Sequence, residues 1–264
     1  MNRESEMIFA DTHTHLYLEE FDGDRDIVVG NAIHNGVTRL FLPNIDSGSV
    51  DGMMALADSY PDHCFPMIGL HPTSVKANYK KELAFVEQQL TLSGKRFCAI
   101  GEIGIDLYWS REFESFQLSA FSFQLELAVK YNLPVVIHTR NSFEHAVNVI
   151  AEKNNPGIRG IFHCFGGSLK QAQKAIELGF LLGIGGIITY KNSGLQEVVE
   201  KVGLEHLVLE TDAPFLPPVP YRGQRNESAY IPVIAEKISL LKKVEVAEVA
   251  AVSTHNALSL FKFS

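Results

Sequence analysis

Eight short apolar or β-branched runs recur along the sequence, separated by longer stretches with helical periodicity. The runs occupy residues 8–11, 37–44, 64–72, 97–104, 134–139, 160–165, 180–186 and 206–212. The stretches between them place apolar residues three and four positions apart, as in helices that pack one face against a sheet. Successive runs begin roughly 20 to 40 residues apart, which is the length of one strand–helix unit. The repeat predicts an α/β fold, a single (β/α)8 TIM barrel.

The length of the chain fits one barrel domain over residues 1–264. The chain has 264 residues, of which 46% are hydrophobic, and barrels of this type need about 250 residues. No linker rich in Pro, Gly and Ser divides the sequence. The Pro-rich segment after Asp212 is expected to be a long active-site loop, followed by two closing helices that reach Ser264.

The sequence shows no sign of a membrane span or of a disulfide framework. No apolar run approaches the ~18 residues of a spanning helix, and no basic start precedes an apolar segment. The three cysteines, Cys64, Cys98 and Cys164, lie in apolar segments without CxxC spacing. We therefore expect a cytoplasmic protein with reduced, buried thiols.

The formal net charge of −8 limits the possible partners. A protein that wraps duplex nucleic acid usually carries a basic face, and no dense Lys/Arg run occurs in this sequence. A small cleft whose positive charge comes from bound metal ions stays compatible with an acidic chain.

Six ionisable side chains are predicted at the C-terminal ends of five of the eight runs. They are His13, His15, Glu102, His138, His163 and Asp212. The two histidines of "DTHTH" are two positions apart, so in an extended chain they project from one face and could bind one ion. In a barrel, the C-terminal strand ends meet on one face, where catalytic groups of this fold lie.

These six side chains have the chemistry of a metal centre. Four imidazoles and two carboxylates supply enough ligands for two ions, with Glu102 as the shared bridge. Two divalent ions would leave a local positive excess that holds an anionic substrate and supports in-line phosphoryl displacement. The imidazoles favour zinc or manganese.

Six segments, in order, resemble the TatD-related metal-dependent deoxyribonucleases of the amidohydrolase superfamily. They read "DTHTHL", "GLHP", "IGEIGID", "NLPVVIHTR", "FHCFGGS" and "ETDAPFLPP…RGQRNE". The resemblance implies a TIM barrel that hydrolyses phosphodiester bonds in DNA, often from a 3′ end, with magnesium-supported activity. It also implies a ligand set: one metal held by His13, His15, Glu102 and Asp212, and a second held by Glu102, His138 and His163.

Further residues are candidates for supporting roles. His71 of "GLHP" resembles a family histidine near the substrate, which implies phosphate contact or acid/base assistance beside the catalytic Glu102 and Asp212. Glu210 shares the inward direction of Asp212 and is expected to orient a ligand or to be a buried acid. Arg225 and Asn226, on the loop after the last strand, could contact phosphate. The remaining histidines are expected to be structural: His34, His63, His145, His206 and His255.

Two positions depart from the family pattern. Ser228 stands where the family commonly has proline, and Asn141 stands where it often has aspartate, so substrate preference is affected more than hydrolysis.

Three functions stay open. The favoured function is a 3′-end nuclease acting on single-stranded or frayed DNA ends. The alternatives are another amidohydrolase acting on a C–N, ester or lactone bond, and a non-catalytic metal-binding or interaction protein. The oligomeric state is left open.

Overall fold

The computed structural model describes residues 7–93 and 96–262. Eight strands lie within or across the eight predicted runs, and every neighbouring pair is parallel. In chain order the strands are β1 Phe9–Asp11, β2 Val37–Leu42, β3 Cys64–Pro66, β4 Ile100–Asp106, β5 Val135–Arg140, β6 Gly160–Phe162, β7 Phe180–Ile184 and β8 Leu207–Leu209. The predicted α/β class is confirmed.

Helices follow the strands as the apolar spacing predicts. They are α1 Arg25–His34, α2 Val50–Ser59, α3 Tyr79–Ser93, α4 Glu114–Tyr131, α5 Phe143–Lys153, α6 Leu169–Glu177, α7 Leu195–Lys201, α8 Ile231–Lys242 and α9 Val246–Phe261. Helices α8 and α9 are the two predicted closing helices. The predicted domain also includes residues 1–6, 94–95 and 263–264, which lie outside the described residues.

Local sequence chemistry sets several helix ends. α4 and α5 are each followed by an asparagine cap, Asn132 and Asn154, with left-handed φ values of 53° and 42°. Asparagine tolerates that conformation better than most residues. α6 begins with a capping box in which Ser168 and Gln171 satisfy each other's backbone N–H groups. These signals stop each helix where the chain must turn back toward the next strand.

The strands form two hydrogen-bonded sheets that meet at two seams. One sheet has the order β1-β2-β3 and the other β4-β5-β6-β7-β8. An isolated parallel bridge joins Ile68 to Ile100 at the first seam, and another joins Thr14 to Ala213 at the second. Because one bridge connects β3 to β4 and the other connects the ends of β8 and β1, the two sheets close into a barrel.

The barrel interior is filled with apolar side chains and closed at one end by α9. One buried cluster draws residues from seven strand segments, which can meet only inside the barrel. These residues are Ala10, Phe41, Met67, Ala99, Val136, Ile161 and Val208. Phe261, in the last turn of α9, belongs to the same cluster and stacks on Phe41 with ring centroids 4.2 Å apart. α9 therefore covers the mouth at the N-terminal strand ends, and the opposite face carries the polar residues.

Within the described part of the chain, no helix combines the length and the apolar character that crossing a bilayer requires.

Candidate metal centre

The paired histidines lie directly after β1, at the seam with the segment after β8. The bridge between Thr14 and Ala213 fixes the backbone between them. The Nε2 atoms of His13 and His15 are 3.2 Å apart, so both rings point at a common position. The structure therefore brings the two imidazoles together as the His-x-His spacing predicts.

Hydrogen bonds fix which ring nitrogen of His15 is free. The Tyr17 hydroxyl donates to the Pro43 carbonyl at 2.6 Å, so it accepts from His15 Nδ1 at 2.9 Å. With its proton on Nδ1, neutral His15 keeps the lone pair of Nε2 for an ion. Tyr17 is thus an orienting residue of the kind that commonly supports a metal-binding histidine.

Glu102 lies at the middle of the site. Its two carboxylate oxygens approach the ring nitrogens of five histidines at 2.8 to 3.7 Å. The five are His13, His15, His71, His138 and His163. Such a carboxylate is placed to be shared between two ions, as a bridging ligand must be.

The expected position of two ligands at strand ends is wrong in detail. Glu102 and His138 lie inside β4 and β5, because these strands stay paired as far as Asp106 and Arg140. The register of the pair shifts between Ile100 and Ile103. Both side chains still reach the open end of the barrel, where the other members of the cluster lie.

His163, which follows β6, packs between two carboxylates and another ring. Its Nε2 lies 2.9 Å from Glu102, and its Nδ1 lies 3.4 Å from Glu210. The His163 ring stacks on His13 with centroids 3.8 Å apart. Glu210 therefore stands beside a predicted ligand, where an orienting acid is expected.

His138 is held from both sides by carboxylates. Its Nδ1 lies 2.8 Å from Glu102 and its Nε2 lies 3.0 Å from Asp106. Burial alone would lower the pKa of His138, but hydrogen bonds to Asp106 and Glu102 raise it above its usual value. Asp106 thereby orients the ring toward Glu102.

Asp212 completes the cluster from the segment after β8. Its Oδ1 lies 3.7 Å from Nε2 of both His13 and His15. Its φ is 58°, an uncommon backbone conformation for a residue with a side chain, and such conformations often occur at functional sites. Burial, together with the negative charges of Glu102 and Glu210, raises the pKa of Asp212 to about 7.

Burial and neighbouring charges favour a neutral imidazole at His13 and an ionised carboxylate at Glu102. Burial, reinforced by the neighbouring His163, lowers the pKa of His13 to about 4. Burial would raise the pKa of Glu102, but His163, His71 and His13 hold it well below its usual value. A neutral imidazole and an ionised carboxylate are the forms that bind metal ions.

The donor chemistry fits divalent metal ions. Three sets of side chains in the described residues bring nitrogen and oxygen atoms within 4.8 Å of one another. They are His13 with His163 and Glu210, His13 with His15 and Asp212, and His71 with Glu102 and His138. The buried atoms without a hydrogen-bond partner in the described residues all belong to the first set: Nδ1 of His13 and of His163, and Oε2 of Glu210. Such a cluster of buried His and carboxylate groups suits a binuclear site.

His71 lies inside the cluster rather than at its margin. Its Nε2 is 3.2 Å from Glu102, while its Nδ1 accepts from the Thr73 backbone N–H at 3.1 Å. This bond leaves the Nε2 proton directed at Glu102 when the ring is neutral. The remaining histidines predicted to be structural belong to none of the three sets of donors found among the described residues.

The loop residues Arg225 and Asn226 hold the chain rather than line the cluster. Arg225 donates to both carboxylate oxygens of Asp24 at 2.9 and 2.6 Å. Asn226 is buried and donates to the carbonyls of Thr211 and Phe215. These contacts anchor the loop after β8, and phosphate contact by either side chain stays a prediction.

Sequence reasoning missed two acids that organise the site. Asp106 holds His138, and Asp11 accepts from the N–H and hydroxyl of Thr211 at 2.9 and 2.6 Å. Both acids occur at even spacing from a predicted ligand, four residues after Glu102 and two residues before His13. That spacing was the available signal, since alternate strand residues share a face.

A concave region lies on the same face of the barrel. A cavity of about 670 Å³ is bordered by Tyr190, Lys191 and Arg222, from the loops after β7 and β8. The Arg222 guanidinium stacks 4.5 Å from the Tyr190 ring centroid. These exposed cations add positive charge to this face of an acidic protein.

Comparisons with known proteins agree with this chemistry. A family model described as "TatD related DNase" matches residues 10–262. The uncharacterized metal-dependent hydrolase YabD of Bacillus subtilis is 35% identical over 259 residues, covering 98% of this chain and 100% of the relative. The crystal structure of YjjV, a TatD homolog from Escherichia coli, superposes with a TM-score of 0.91 at 30% identity, covering 96% and 98% of the two chains. A TatD family hydrolase from Entamoeba histolytica shares the fold at a TM-score of 0.87 and 22% identity, over 98% and 99%.

Proposed function

The chain belongs to the TatD-related DNase family of metal-dependent hydrolases, in the amidohydrolase superfamily, and from this premise we propose that it removes nucleotides from the 3′ ends of single-stranded or frayed DNA. The observation that carries the proposal is the position of Glu102, whose carboxylate approaches five histidines at 2.8 to 3.7 Å. A shared carboxylate among imidazoles supports a pair of ions, which is the arrangement used for phosphodiester hydrolysis.

In this proposal two groups of side chains hold the ions. His13, His15 and Asp212 would hold one ion, His138 and His163 would hold the other, and Glu102 would be shared. When bound, divalent ions supply positive charge that neutralises phosphate oxygens and lowers the pKa of nearby water. Zinc and manganese fit this nitrogen-rich donor set, and the family resemblance adds magnesium.

Asp212 and His71 are the proposed groups for moving protons. The Oδ1 of Asp212 lies 3.7 Å from Nε2 of both His13 and His15, where the carboxylate could accept a proton from attacking water and release it again. The Nε2 of His71 lies 3.2 Å from Glu102, so the ring is at the site where it could donate to a phosphate oxygen or to the leaving oxygen.

The charge distribution supports a strand end as the substrate. The chain carries a net charge of −8, which opposes binding of a long phosphate backbone. Ions in the centre, with Lys191 and Arg222 beside the neighbouring cavity, can compensate a few phosphates. A single-stranded or frayed end places few phosphates in the site and exposes its terminal bond.

Labelled oligonucleotides test the proposal. The protein is loaded in turn with Zn²⁺, Mn²⁺ or Mg²⁺ and given 5′-end-labelled single strands, blunt duplexes and closed circular DNA. We expect stepwise shortening of the single strand from its 3′ end, with slower loss from blunt duplex. Rapid internal cleavage of the circle would contradict an end-directed activity.

Parallel assays separate the alternative functions, with amide, lactone, ester and other phosphoester substrates in place of DNA. Turnover of a C–N, ester or lactone substrate with none on DNA would identify a different amidohydrolase. Metal binding without turnover of any substrate would indicate a binding protein.

A further inference from the structure

The sequence contains a single tryptophan, and it lies on the surface beside the metal centre. Trp109 is 71% exposed and its neighbour Tyr108 is 53% exposed, in the loop between β4 and α4. Tryptophan buries a large apolar area when it is packed inside, so exposing it costs stabilisation that a core position would supply. An adjacent pair of exposed aromatic rings at an enzyme cleft typically serves recognition.

An arginine completes the aromatic group. Arg140, at the end of β5, has its guanidinium carbon 3.7 Å from the Tyr108 ring centroid and 5.1 Å from that of Trp109. The Tyr108 and Trp109 rings meet edge to face with centroids 5.0 Å apart. Among residues 7–93 and 96–262, no carboxylate lies within ion-pair distance of Arg140, although the side chain is exposed. Its positive charge is therefore available to a ligand.

The loop that carries these rings is tied to the metal centre by Asp106. One oxygen of Asp106 accepts from the Tyr108 and Trp109 N–H groups at 2.9 and 3.4 Å, and the other contacts His138 Nε2 at 3.0 Å. Gln117, on α4, pairs with the backbone N–H and carbonyl of Asp106. The backbone that carries the two rings is thus held in place before a ligand arrives, which lowers the entropic cost of binding.

We propose that Tyr108, Trp109 and Arg140 form a platform on which a nucleobase of the DNA strand stacks, one to a few nucleotides from the bond held at the metal centre. Aromatic faces bind any base by stacking, and an adjacent guanidinium adds stacking and phosphate attraction. The inference rests on the proposed nuclease function and adds to it a recognition element for the base. It predicts preference for strands whose bases are unpaired near the end.

Kinetics on abasic oligonucleotides test the platform. A set of single strands carries one abasic residue at each of the last few positions. Trp109→Ala is expected to raise KM for the intact strand about tenfold, the effect of losing one base stack. One abasic position is expected to raise KM in the wild type by a similar factor and to have no additional effect in Trp109→Ala. Trp109→Phe keeps an aromatic face and is expected to recover most of the loss.

Leu240→Ala is the matched control, because Leu240 is 75% exposed on α8 and lies outside both sites. It is expected to leave KM and kcat unchanged. The platform is wrong if every abasic strand is equivalent to the intact strand in the wild type, or if Leu240→Ala raises KM as much as Trp109→Ala.

Tryptophan fluorescence gives a second readout that does not require turnover. Phosphorothioate-linked single strands are titrated into metal-loaded protein, and the emission of Trp109 is followed. Intact strands are expected to quench the emission, whereas a fully abasic strand and inorganic phosphate are expected not to. Equal quenching by all three ligands would overturn the proposal. Hydrolysis by the wild type reports on the nuclease function itself, so the two proposals can fail separately.

Discussion

At the residue scale, the Asp106 side chain makes contacts in two directions. One carboxylate connects a metal-centre histidine with the backbone of an aromatic surface loop. A carboxylate behind a metal-binding histidine keeps the ring oriented and increases its basicity. We therefore expect Asp106 to act on metal binding through His138, which it contacts at 3.0 Å.

Replacing Asp106 by Asn should weaken metal binding. Asp106→Asn keeps the volume but removes the negative charge facing His138, so we expect metal affinity to fall about 10- to 100-fold. Competition with a fluorescent chelator measures the change. Asp58→Asn, at an exposed acid paired with Arg96, is the control and should bind metal like the wild type. Unchanged affinity in Asp106→Asn would remove Asp106 from the metal centre.

Replacing Asp212 by Asn should reduce turnover far more than stability. The change removes both a ligand charge and the proposed proton acceptor, so we expect kcat to fall about 10²- to 10⁴-fold. Single-strand hydrolysis and thermal unfolding measure the two effects. His145→Ala, at a partly exposed histidine 3.6 Å from Glu114, should change neither. An equal loss of activity in folded His145→Ala would show that the wrong histidines were selected.

Sequence reasoning selected six side chains that the structure brings together, and it named Glu210 beside them, but it missed Asp106 and Asp11. Chemistry-bearing residues near apolar runs were enough to select His13, Glu102 and Asp212, because a barrel brings such positions to one face. Asp106 was missed because its strand extends past the predicted end. The 3.2 Å contact between His71 and Glu102 could not be predicted, because it depends on how the chain turns after β3.

At the element scale, α9 is part of the barrel core as well as an outer helix. Its last turn places Phe261 against Phe41 inside the mouth formed by the N-terminal strand ends. The metal centre lies at the other mouth. One end of the barrel is thus closed by packed apolar side chains, and the other carries the side chains of the metal centre.

Truncating Phe261 should destabilise the fold without acting on the site. Phe261 is 5% exposed, and Phe261→Ala should lower the free energy of unfolding by about 3–5 kcal/mol. Chemical denaturation measures this change, with Leu240→Ala as an exposed apolar control expected to stay within about 0.5 kcal/mol. A loss of less than about 1 kcal/mol would mean that the closed mouth is not packed as described.

The number and order of strands could be predicted, whereas their lengths could not. The run at 64–72 gives a strand of three residues, Cys64–Pro66. The reason is a change of partner: Met67 still bonds to Leu42 of β2, but Ile68 bonds to Ala99 and bridges to Ile100. Apolar periodicity reports burial, and it does not report which neighbour the backbone pairs with.

At the scale of the whole molecule, the proposed ions join parts of the chain that belong to different sheets. His13 and His15 follow the three-stranded sheet, while Glu102 and His138 belong to the five-stranded one. Bound ions would add to the two bridges that close the barrel. Metal binding should therefore contribute to stability as well as to activity.

Removing the metal should lower the unfolding temperature. Elemental analysis is expected to find one to two divalent ions per chain, because the six proposed ligands exceed the four that one tetrahedral ion needs. Chelation should lower Tm by about 5–10 °C through the lost binding free energy. The double variant His13→Ala, His15→Ala should bind less metal and respond less to chelation. Unchanged metal content in that variant would contradict the pairing of these histidines.

Binding of single-stranded DNA should depend weakly on salt. The net charge of −8 and the few cations on the open face limit the number of phosphates that the protein can neutralise. We expect a slope of log affinity against log salt that corresponds to about one to three phosphates. Filter binding or anisotropy over a range of salt concentrations measures the slope. A steep slope would indicate a backbone-binding groove elsewhere on the protein.

The seam between the ends of β1 and β8 can close only after the ribosome has synthesised most of the chain. Asp11 and Thr211, which hold the two sides of this seam together, are 200 residues apart. At the usual speeds of synthesis this separation is about 10 to 40 s of elongation. During that interval His13 and His15 are already made, but Asp212 is not, so a nascent chain lacks the complete ligand set. The complete set of proposed ligands therefore arises late in translation, and a chain cut short before the eighth strand lacks Asp212.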